Sequence, residues 1–452
     1  MSQERMTPQE LIARANKPSA DALRLHPFYR GKMQTMPRCA VRNLDDFSIW
    51  YSPGVAAPCR AIQKDKSLVY DYTCKWNTIA IVSDGTRVLG LGDIGPEAGM
   101  PVMEGKALLF KYLGGVDAVP ICLDTKDPDM IIQAVKWLKP SFGAINLEDI
   151  SSPKCFYILD VLRREMDIPV FHDDQQGTAT VILAGLINAL KVVGKKKEDA
   201  KLVLIGVGAA NTATARLLFT DGFQKRNTIT VDSKGILHPG RTDLRELQKQ
   251  NPFKWELANT TNPQKRTGGI AEALQGADAV VSLAQSGPGV IKPEWVRGMA
   301  KNSIVFACAN PVPEIWPWEA KEAGARIVAT GRSDFPNQVN NSTGFPAIFR
   351  GALDVRAKTI TDEMCIAAAY ELANYAEEKG LSDEYITPTM EETQAFIREA
   401  VAVGMKAIEQ GVAQLKPSKT ELTKQARTMI SGAKKATKLL MKEGIIPPVP
   451  KE

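Results

Sequence analysis

From Ile168 onward the chain alternates short, wholly apolar segments with helical ones. IPVF reads as a strand, TATVILAGLINALKVVG as a helix, KLVLIGVG as a strand, NTATARLLFTDG as a helix and TITVDSKG as a strand; DAVVSLAQ, SIVFACAN and ARIVATG continue the series. A strand with no polar side has no face to give to water. It belongs in a parallel sheet with helices packed on both faces. The expected class is α/β, with a doubly wound, Rossmann-type dinucleotide-binding sheet over residues 161–385.

A chain of 452 residues exceeds one compact core, so more than one domain is expected. Residues 1–160 read as a mixed α/β domain. NTIAIVSDGTRVLGLGD is a strand–turn–strand with Asp-Gly at the turn, KALLFKYLGG a helix closed by glycine, VDAVPICLD a strand and DPDMIIQAVKWL a helix. After Ala347 the pattern is mostly helical, with residues 386–452 as a C-terminal helical segment.

Composition narrows the partners. The 57 basic residues against 51 acidic ones give +6, too diffuse to argue for nucleic acid. The opening MSQERMTPQELIARANKPSADALR has no apolar core and carries early acids, so no targeting peptide is expected. No uninterrupted apolar run reaches about 18 residues, so no membrane span is expected. The seven cysteines, Cys39, Cys59, Cys74, Cys122, Cys155, Cys308 and Cys365, form no close pair, as in a reduced cytoplasmic protein. With three histidines and no cysteine cluster, a bound metal would have to rest on carboxylates.

KLVLIGVGAANTATARLL sets Gly206 and Gly208 between a strand and a helix. In that context G-x-G gives a tight turn and a bare backbone for a pyrophosphate at the helix N-terminus, formed here by Ala209, Ala210 and Asn211. Asn211 stands where the third glycine of the fingerprint would be, so the packing of helix on strand is expected to differ there. Asp232 ends the next strand, the usual place for a ribose contact.

FHDDQQGTATVILAGLINAL places Asp173 beside Asp174 before a strongly apolar helix. Two charges ~4 Å apart repel by about 4 kcal/mol at a protein surface, so something positive is required nearby. NLEDI carries a second acidic pair, Glu148 and Asp149, also after an apolar strand. One such pair is an ordinary helix cap. Two of them at strand ends describe an oxygen-rich site for Mg²⁺ or Mn²⁺.

YSPGVAAPC, SDGTRVLGLGDIG, GKALLFKYLGG, NLEDI, FHDDQQGTA, the G-x-G loop, ANPVPEI and PNQVNNSTGFPAIFRG together resemble the malic enzymes in their short bacterial or archaeal form, from about Tyr51 to Arg350. The resemblance implies oxidative decarboxylation of L-malate to pyruvate and CO₂ with NAD(P)⁺. It implies Glu148, Asp149 and Asp174 as metal ligands, Lys106 as general base, Asp173 as the carboxylate that orients it, and Tyr51 as general acid. Arg87, Asn310 and Asn341 match substrate-binding positions, and Ser286, Gly287 and Asn310 are candidate cofactor contacts. His172 is expected to pack or to support the site rather than to ligate. A lysine beside a cation and an arginine should have its ammonium form disfavoured, which suits a base near neutral pH. Malic enzymes are generally dimers or dimers of dimers, so a homodimer or larger is expected. The basic, amphipathic KTELTKQARTMISGAKKATKLLMKEG is expected to be a surface or dimer-contacting helix rather than a membrane binder.

Cofactor choice pulls two ways. Asp232 alone favours NAD, because a carboxylate there accepts from the ribose hydroxyl and repels a phosphate. Ser233 and Lys234 offer a donor and a cation at the same place, and VDSKG resembles the NADP-preferring animal enzymes. With Lys234 neutralising Asp232, the balance falls to NADP. Two other classes compete: a metal-independent amino-acid dehydrogenase, which leaves the paired carboxylates unexplained, and a non-catalytic dinucleotide-sensing module, which would not need Tyr51, Lys106 and Asp174 together.

Overall fold

The computed structural model describes residues 8–450. Residues 1–7 and 451–452 lie outside the described residues, so the opening of the stretch that carries the expectation of no targeting peptide is not described.

Two sheets organise the chain. The first has β1 (Thr78–Ser83), β2 (Asp117–Cys122), β3 (Ala144–Leu147) and β4 (Val170–His172), all parallel in the order β2-β1-β3-β4. The second has β5 (Leu202–Ile205), β6 (Thr228–Asp232), β7 (Gly235–Ile236), β8 (Ala279–Ser282), β9 (Ile304–Ala307) and β10 (Ile327–Thr330), in the order β10-β9-β8-β5-β6-β7. The strands from β10 to β6 pair parallel and β7 closes the edge antiparallel to β6. The doubly wound sheet expected from the apolar runs is present, with strands on both sides of β5.

Two local expectations fail for topological reasons. IPVF does not open the second sheet. It forms β4, which pairs with β3, so the regular alternation runs across two sheets rather than within one. Nor does NTIAIVSDGTRVLGLGD make a hairpin. β1 is already paired on both edges, by β2 and β3, and has no free edge for a returning strand. The chain after Ser83 becomes a loop whose one ladder contact joins Val88 to Gly92.

The helix Pro96–Gly114, closed by Gly115 in the left-handed conformation, packs against β2 and carries Lys106. The helix Thr178–Val193 follows β4 through a π-helical turn at Asp173–Gly177. The segment Asp173–Val193 is by length and composition alone apolar enough to cross a membrane, but 83% of its most apolar 18-residue window is buried within the protein, as in the core helix of a folded unit. It packs between the helices Ala209–Thr220 and Asp362–Lys379, as the core of the second unit.

The C-terminal helices return to the first sheet. Phe345 and Phe349, on the helix Phe345–Asp354, set their rings 4.5 and 5.1 Å from Phe110, and Phe349 lies 5.4 Å from Phe171 of β4. The basic helix Lys419–Lys442 begins with a capping box between Ser418 and Glu421. It buries Leu422, Ala426, Ile430 and Ala433 against its own chain, including the helix that bears Lys106, rather than offering that face to a partner.

Residues 34–65 behave differently. They form the short helices Asp46–Trp50 and Ala56–Lys64, yet Asp46 is the one buried residue among them.

Phe349 joins the lysine-bearing helix, β4 and the C-terminal helices. Phe349→Ala should lower the free energy of unfolding by about 3–5 kcal/mol, read from denaturant titration of the isolated variant.

Candidate active site

Each sheet opens a crevice where its strand order reverses. In the second sheet that point lies between β5 and β8. Gly206 and Gly208 follow β5, and Leu283 and Ala284 follow β8. In the first sheet Glu148 and Asp149 follow β3, while Asp173 and Asp174 follow β4. Residues from both crevices line one cavity of about 350 Å³. Arg87, Lys106, Glu148, Asp149 and Asp174 stand on one side, with Gly208, Ala209, Ala210, Asn310 and Asn341 on the other.

The two adjacent aspartates part company. Asp173 accepts a hydrogen bond from the Lys106 ammonium at 2.5 Å. Asp174 turns the other way and accepts from the backbone N–H of Asp149 at 2.9 Å. The π-helical turn lets consecutive side chains diverge in this way, and such turns gather at functional sites. Gly177 makes room for Asp173, since a Cβ there would lie 1.8 Å from the Asp173 Oδ1.

Lys106 also meets Glu148 Oε1 at 3.0 Å and sits 4.2 Å from the Phe345 ring centroid. Burial disfavours its charge, but Asp173 and Glu148 outweigh burial and raise its pKa. The expectation of a disfavoured ammonium is therefore not met by the protein groups alone. The expectation counted a cation and an arginine beside the lysine, whereas the groups the chain places nearest are two carboxylates.

Glu148, Asp149 and Asp174 bring one oxygen each within 4.8 Å of one another. Burial, then the charge of Asp174, pushes Asp149 up to about 8, and burial raises Glu148 as well. Asp149 Oδ2 is buried with no hydrogen-bond partner, and its backbone takes a positive φ of 54°. Asn146 fixes the outer oxygen of Glu148 by donating at 2.7 Å. Crowded, partly orphaned carboxylates fit a hard divalent cation. His172 is fully buried, and burial lowers its pKa; it lies beside Asp174 but outside this set of oxygens.

At the dinucleotide side, Gly206 has φ 85° and a Cβ there would lie 2.5 Å from Leu283 O. Gly208 faces open space. Asn211, at the third fingerprint position, donates to Ile205 O at 2.8 Å and Val281 O at 3.3 Å, tying its helix to β5 and β8 by hydrogen bonds. Arg87 lines the cavity, with its backbone N–H bonded to Asp149 O. Asn341 lies beside Asp173 and lines the cavity.

Several expected residues stand elsewhere. Ser286 and Gly287 do not line the cavity; Ser286 Oγ and the Gly287 N–H bond Val312 and fasten the loop around Asn310. Lys234 does not neutralise Asp232 with its ammonium, which reaches Asp243 at 3.0 Å. Arg241 at 2.8 Å and Lys254 at 3.2 Å neutralise Asp232 instead, and Ser233 lies beside them at the end of β6. Tyr51 is 73% exposed and is absent from the cavity lining, so the chain does not set it beside its own Lys106.

Sequence reasoning missed Phe345, Asn146, Arg241 and Lys254. It also missed Glu314, which is buried and accepts from the N–H groups of Ala284 and Ala309, holding the loops after β8 and β9 together. Glu314 is in the quoted ANPVPEI, and an acid beside isoleucine in so apolar a segment is the signal that could have found it.

A dinucleotide-binding sheet facing a lysine and a carboxylate cluster defines an NAD(P)-dependent oxidoreductase. Residues 30–163 match the model of the malic enzyme N-terminal domain, and residues 175–409 that of the malic enzyme NAD binding domain. The chain is 48% identical over 409 residues to the bifunctional malic/malolactic enzyme of Bacillus subtilis, covering 90% of this chain and 98% of that one. It is 52% identical to the NAD-dependent malic enzyme of Geobacillus stearothermophilus, covering 85% and 78%. A crystal structure of Entamoeba histolytica malic enzyme, 48% identical, superposes with a TM-score of 0.96 over 100% of this chain and 94% of that one. A relative named for NADP, from Rhizobium meliloti, also matches, at 46% identity over 87% of this chain and 52% of that one. The chain belongs to the malic enzyme family, the oxidative decarboxylases of malate.

Gly206→Ala would force a side chain into a strained φ against Leu283. That conformation costs about 1–3 kcal/mol, so NAD(P)⁺ affinity should fall about tenfold, measured by fluorescence titration.

Proposed function

We propose that Lys106, Asp173, the Glu148–Asp149–Asp174 cluster and Tyr51 carry the family reaction in this chain: L-malate to pyruvate and CO₂ with reduction of NADP⁺. The observation that carries the reading is the Lys106–Asp173 pair set against three carboxylates in a cavity that also receives the glycine loop.

A divalent cation held by Glu148, Asp149 and Asp174 would supply Lewis acidity, polarising the C2 hydroxyl and stabilising charge as CO₂ leaves. A nicotinamide cofactor bound at the glycine loop would supply the acceptor for the hydride of C2. Arg87 binds a malate carboxylate through two parallel hydrogen bonds, and Asn310 and Asn341 orient the rest of the substrate. Lys106 keeps its ammonium while Glu148 and Asp173 both face it. Were Glu148 committed to a bound dication, burial and the adjacent positive charge would favour the neutral amine, and Lys106 would be the group to take the hydroxyl proton. Asp173 holds that amine in line. Tyr51 then protonates C3.

NADP is favoured because Lys234, Arg241 and Lys254 put three cations against Asp232 and Asp243 at the end of β6. The net positive charge suits a 2′-phosphate. The working units are residues 1–160, 161–385 and 386–452, with the last bracing the lysine-bearing helix. A homodimer or dimer of dimers is supported by the exposed apolar segment around Tyr51. A cytoplasmic setting is supported by seven unpaired cysteines.

Malate-dependent NADPH formation with Mn²⁺ tests the reading. Activity should vanish on exhaustive chelation, and Asp174→Ala should lose at least about a hundredfold in kcat/KM. Full activity after chelation removes the metal assignment. For the cofactor, kcat/KM should favour NADP in the wild type, and Lys234→Ala should shift the NADP/NAD ratio toward NAD. An unchanged ratio removes the argument from Lys234.

A further inference from the structure

We infer that the foot of the second sheet holds a separate ligand site, a cationic cavity that binds a polyphosphate, either inorganic or the phosphate chain of a nucleotide. It stands apart from the active site and does not depend on the reaction proposed above.

The position comes from the topology. β8, β5 and β6 stand side by side in the second sheet. The C-terminal ends of β5 and β8 lead to the glycine loop and to Leu283 and Ala284, in the wall of the active-site cavity. At the opposite ends of the same three strands lies another cavity, of about 240 Å³. Lys201 and Gly206 flank β5. At about 3.3 Å per residue, roughly 16 Å of chain separates the two cavities. Dinucleotide and substrate bind at the C-terminal ends of the strands in such a sheet, so neither accounts for a cavity at the foot.

Its lining is one-sided in charge. Lys201, just before β5, Arg226, just before β6, and Arg266, from the loop before the helix Ile270–Leu274, all reach it. Asn227, Gln264 and Gln275 add three amide side chains, and among the described residues no aspartate or glutamate lines it. The nearest acids are already engaged. Asp278 accepts from the Lys195 ammonium at 2.6 Å and from the Lys201 N–H at 2.8 Å. Glu272 accepts from the Gly269 N–H at 2.7 Å, while its carbonyl takes the Arg266 guanidinium. Among the described residues the side chains of Lys201 and Arg226 have no ionic or hydrogen-bonding partner. Three cations brought to one concave surface repel one another. Walls of a single sign concentrate that field and attract a counter-ion.

The chemistry of the lining selects the anion. Two guanidinium groups match phosphate oxygens through paired N–H donors, and the lysine adds a point charge. Three cations suit a ligand with several charges rather than one. The buried side chains of Leu202, Ile229 and Ala277 close the base of the cavity and keep it dry, which strengthens each ionic contact. Pockets that enclose a whole drug-sized ligand run to about 300–1,000 Å³. This one is smaller, so it takes the phosphate chain and leaves any nucleoside at the rim.

Calorimetric titration tests the inference. Tripolyphosphate is added to the full chain with the dinucleotide crevice saturated by NADP⁺ and divalent metal removed by EDTA. One tripolyphosphate per chain should bind saturably. Lys201→Gln combined with Arg226→Gln should weaken binding at least about tenfold. The double variant should oxidise malate like the wild type when no polyphosphate is present, which shows that it has folded. Should it lose that activity, Arg226→Gln alone decides, with an expected weakening of about threefold. Lys442→Gln, a charge lost on the C-terminal helix, should leave the affinity unchanged. ATP is titrated alongside: equal affinity shows the phosphates alone to be held, tighter binding shows the nucleoside held as well, and both support the site. No saturable binding, binding that the variants retain, binding that NADP⁺ displaces, or an equal loss in Lys442→Gln overturns the inference.

Discussion

The ends of β3 and β4 concentrate four carboxylates, Glu148, Asp149, Asp173 and Asp174, around a single buried ammonium. Everything else in the site answers that imbalance. One lysine cannot neutralise four acids, and burial of a charge costs heavily unless it is paired. Asp173 takes the lysine directly, and Glu148 shares it. Asp149 and Asp174 are left with a backbone N–H and an orphaned oxygen. The result is a cluster of carboxylates that the protein's own cation leaves short of positive charge.

Such a cluster holds its geometry only on a stiff frame, and the frame is apolar. The helix that presents Lys106 is packed on β2 beneath and by Phe345, Phe349 and the C-terminal helices above. Phe345 does both jobs, packing on Phe110 and laying its ring 4.2 Å from the lysine ammonium. A cation over an aromatic face gains about 0.5–2 kcal/mol. That contact adds to the two carboxylates in holding the charge in place. The C-terminal third of the chain, remote in sequence from Lys106, thus sets where its nitrogen points.

On the dinucleotide side the same logic runs through hydrogen bonds. Asn211 replaces a glycine that elsewhere allows a helix to approach a strand closely. Its amide instead donates to carbonyls at the ends of β5 and β8, so it joins the two strands that flank the crevice. Glu314 joins the loops after β8 and β9 in the same manner. At the end of β6, Asp232 is held low in pKa: burial raises it, but Arg241, the Lys234 N–H and Lys254 together outweigh burial. An aspartate so engaged is less free to accept from a ribose hydroxyl than its position in the sequence suggests.

What could be read from the sequence was whatever is local or periodic. Wholly apolar runs identify buried strands because both faces must be dry. Gly115 and Gly194 end helices where left-handed caps are found. Adjacent acids at strand ends point to a charge still to be supplied. Pairings between distant segments were not readable. Nothing in IPVF says that its free edge meets β3, and nothing in VDSKG says that Arg241 and Lys254 will reach Asp232 before Lys234 does. The segment around Tyr51 was not readable either. Apolar residues such as Leu44, Phe47, Ile49 and Trp50 carry no local signal of whether the chain will cover them, and in the fold they stay exposed. Burial depends on what the rest of the chain brings alongside, and that is a long-range property that pattern and composition do not record.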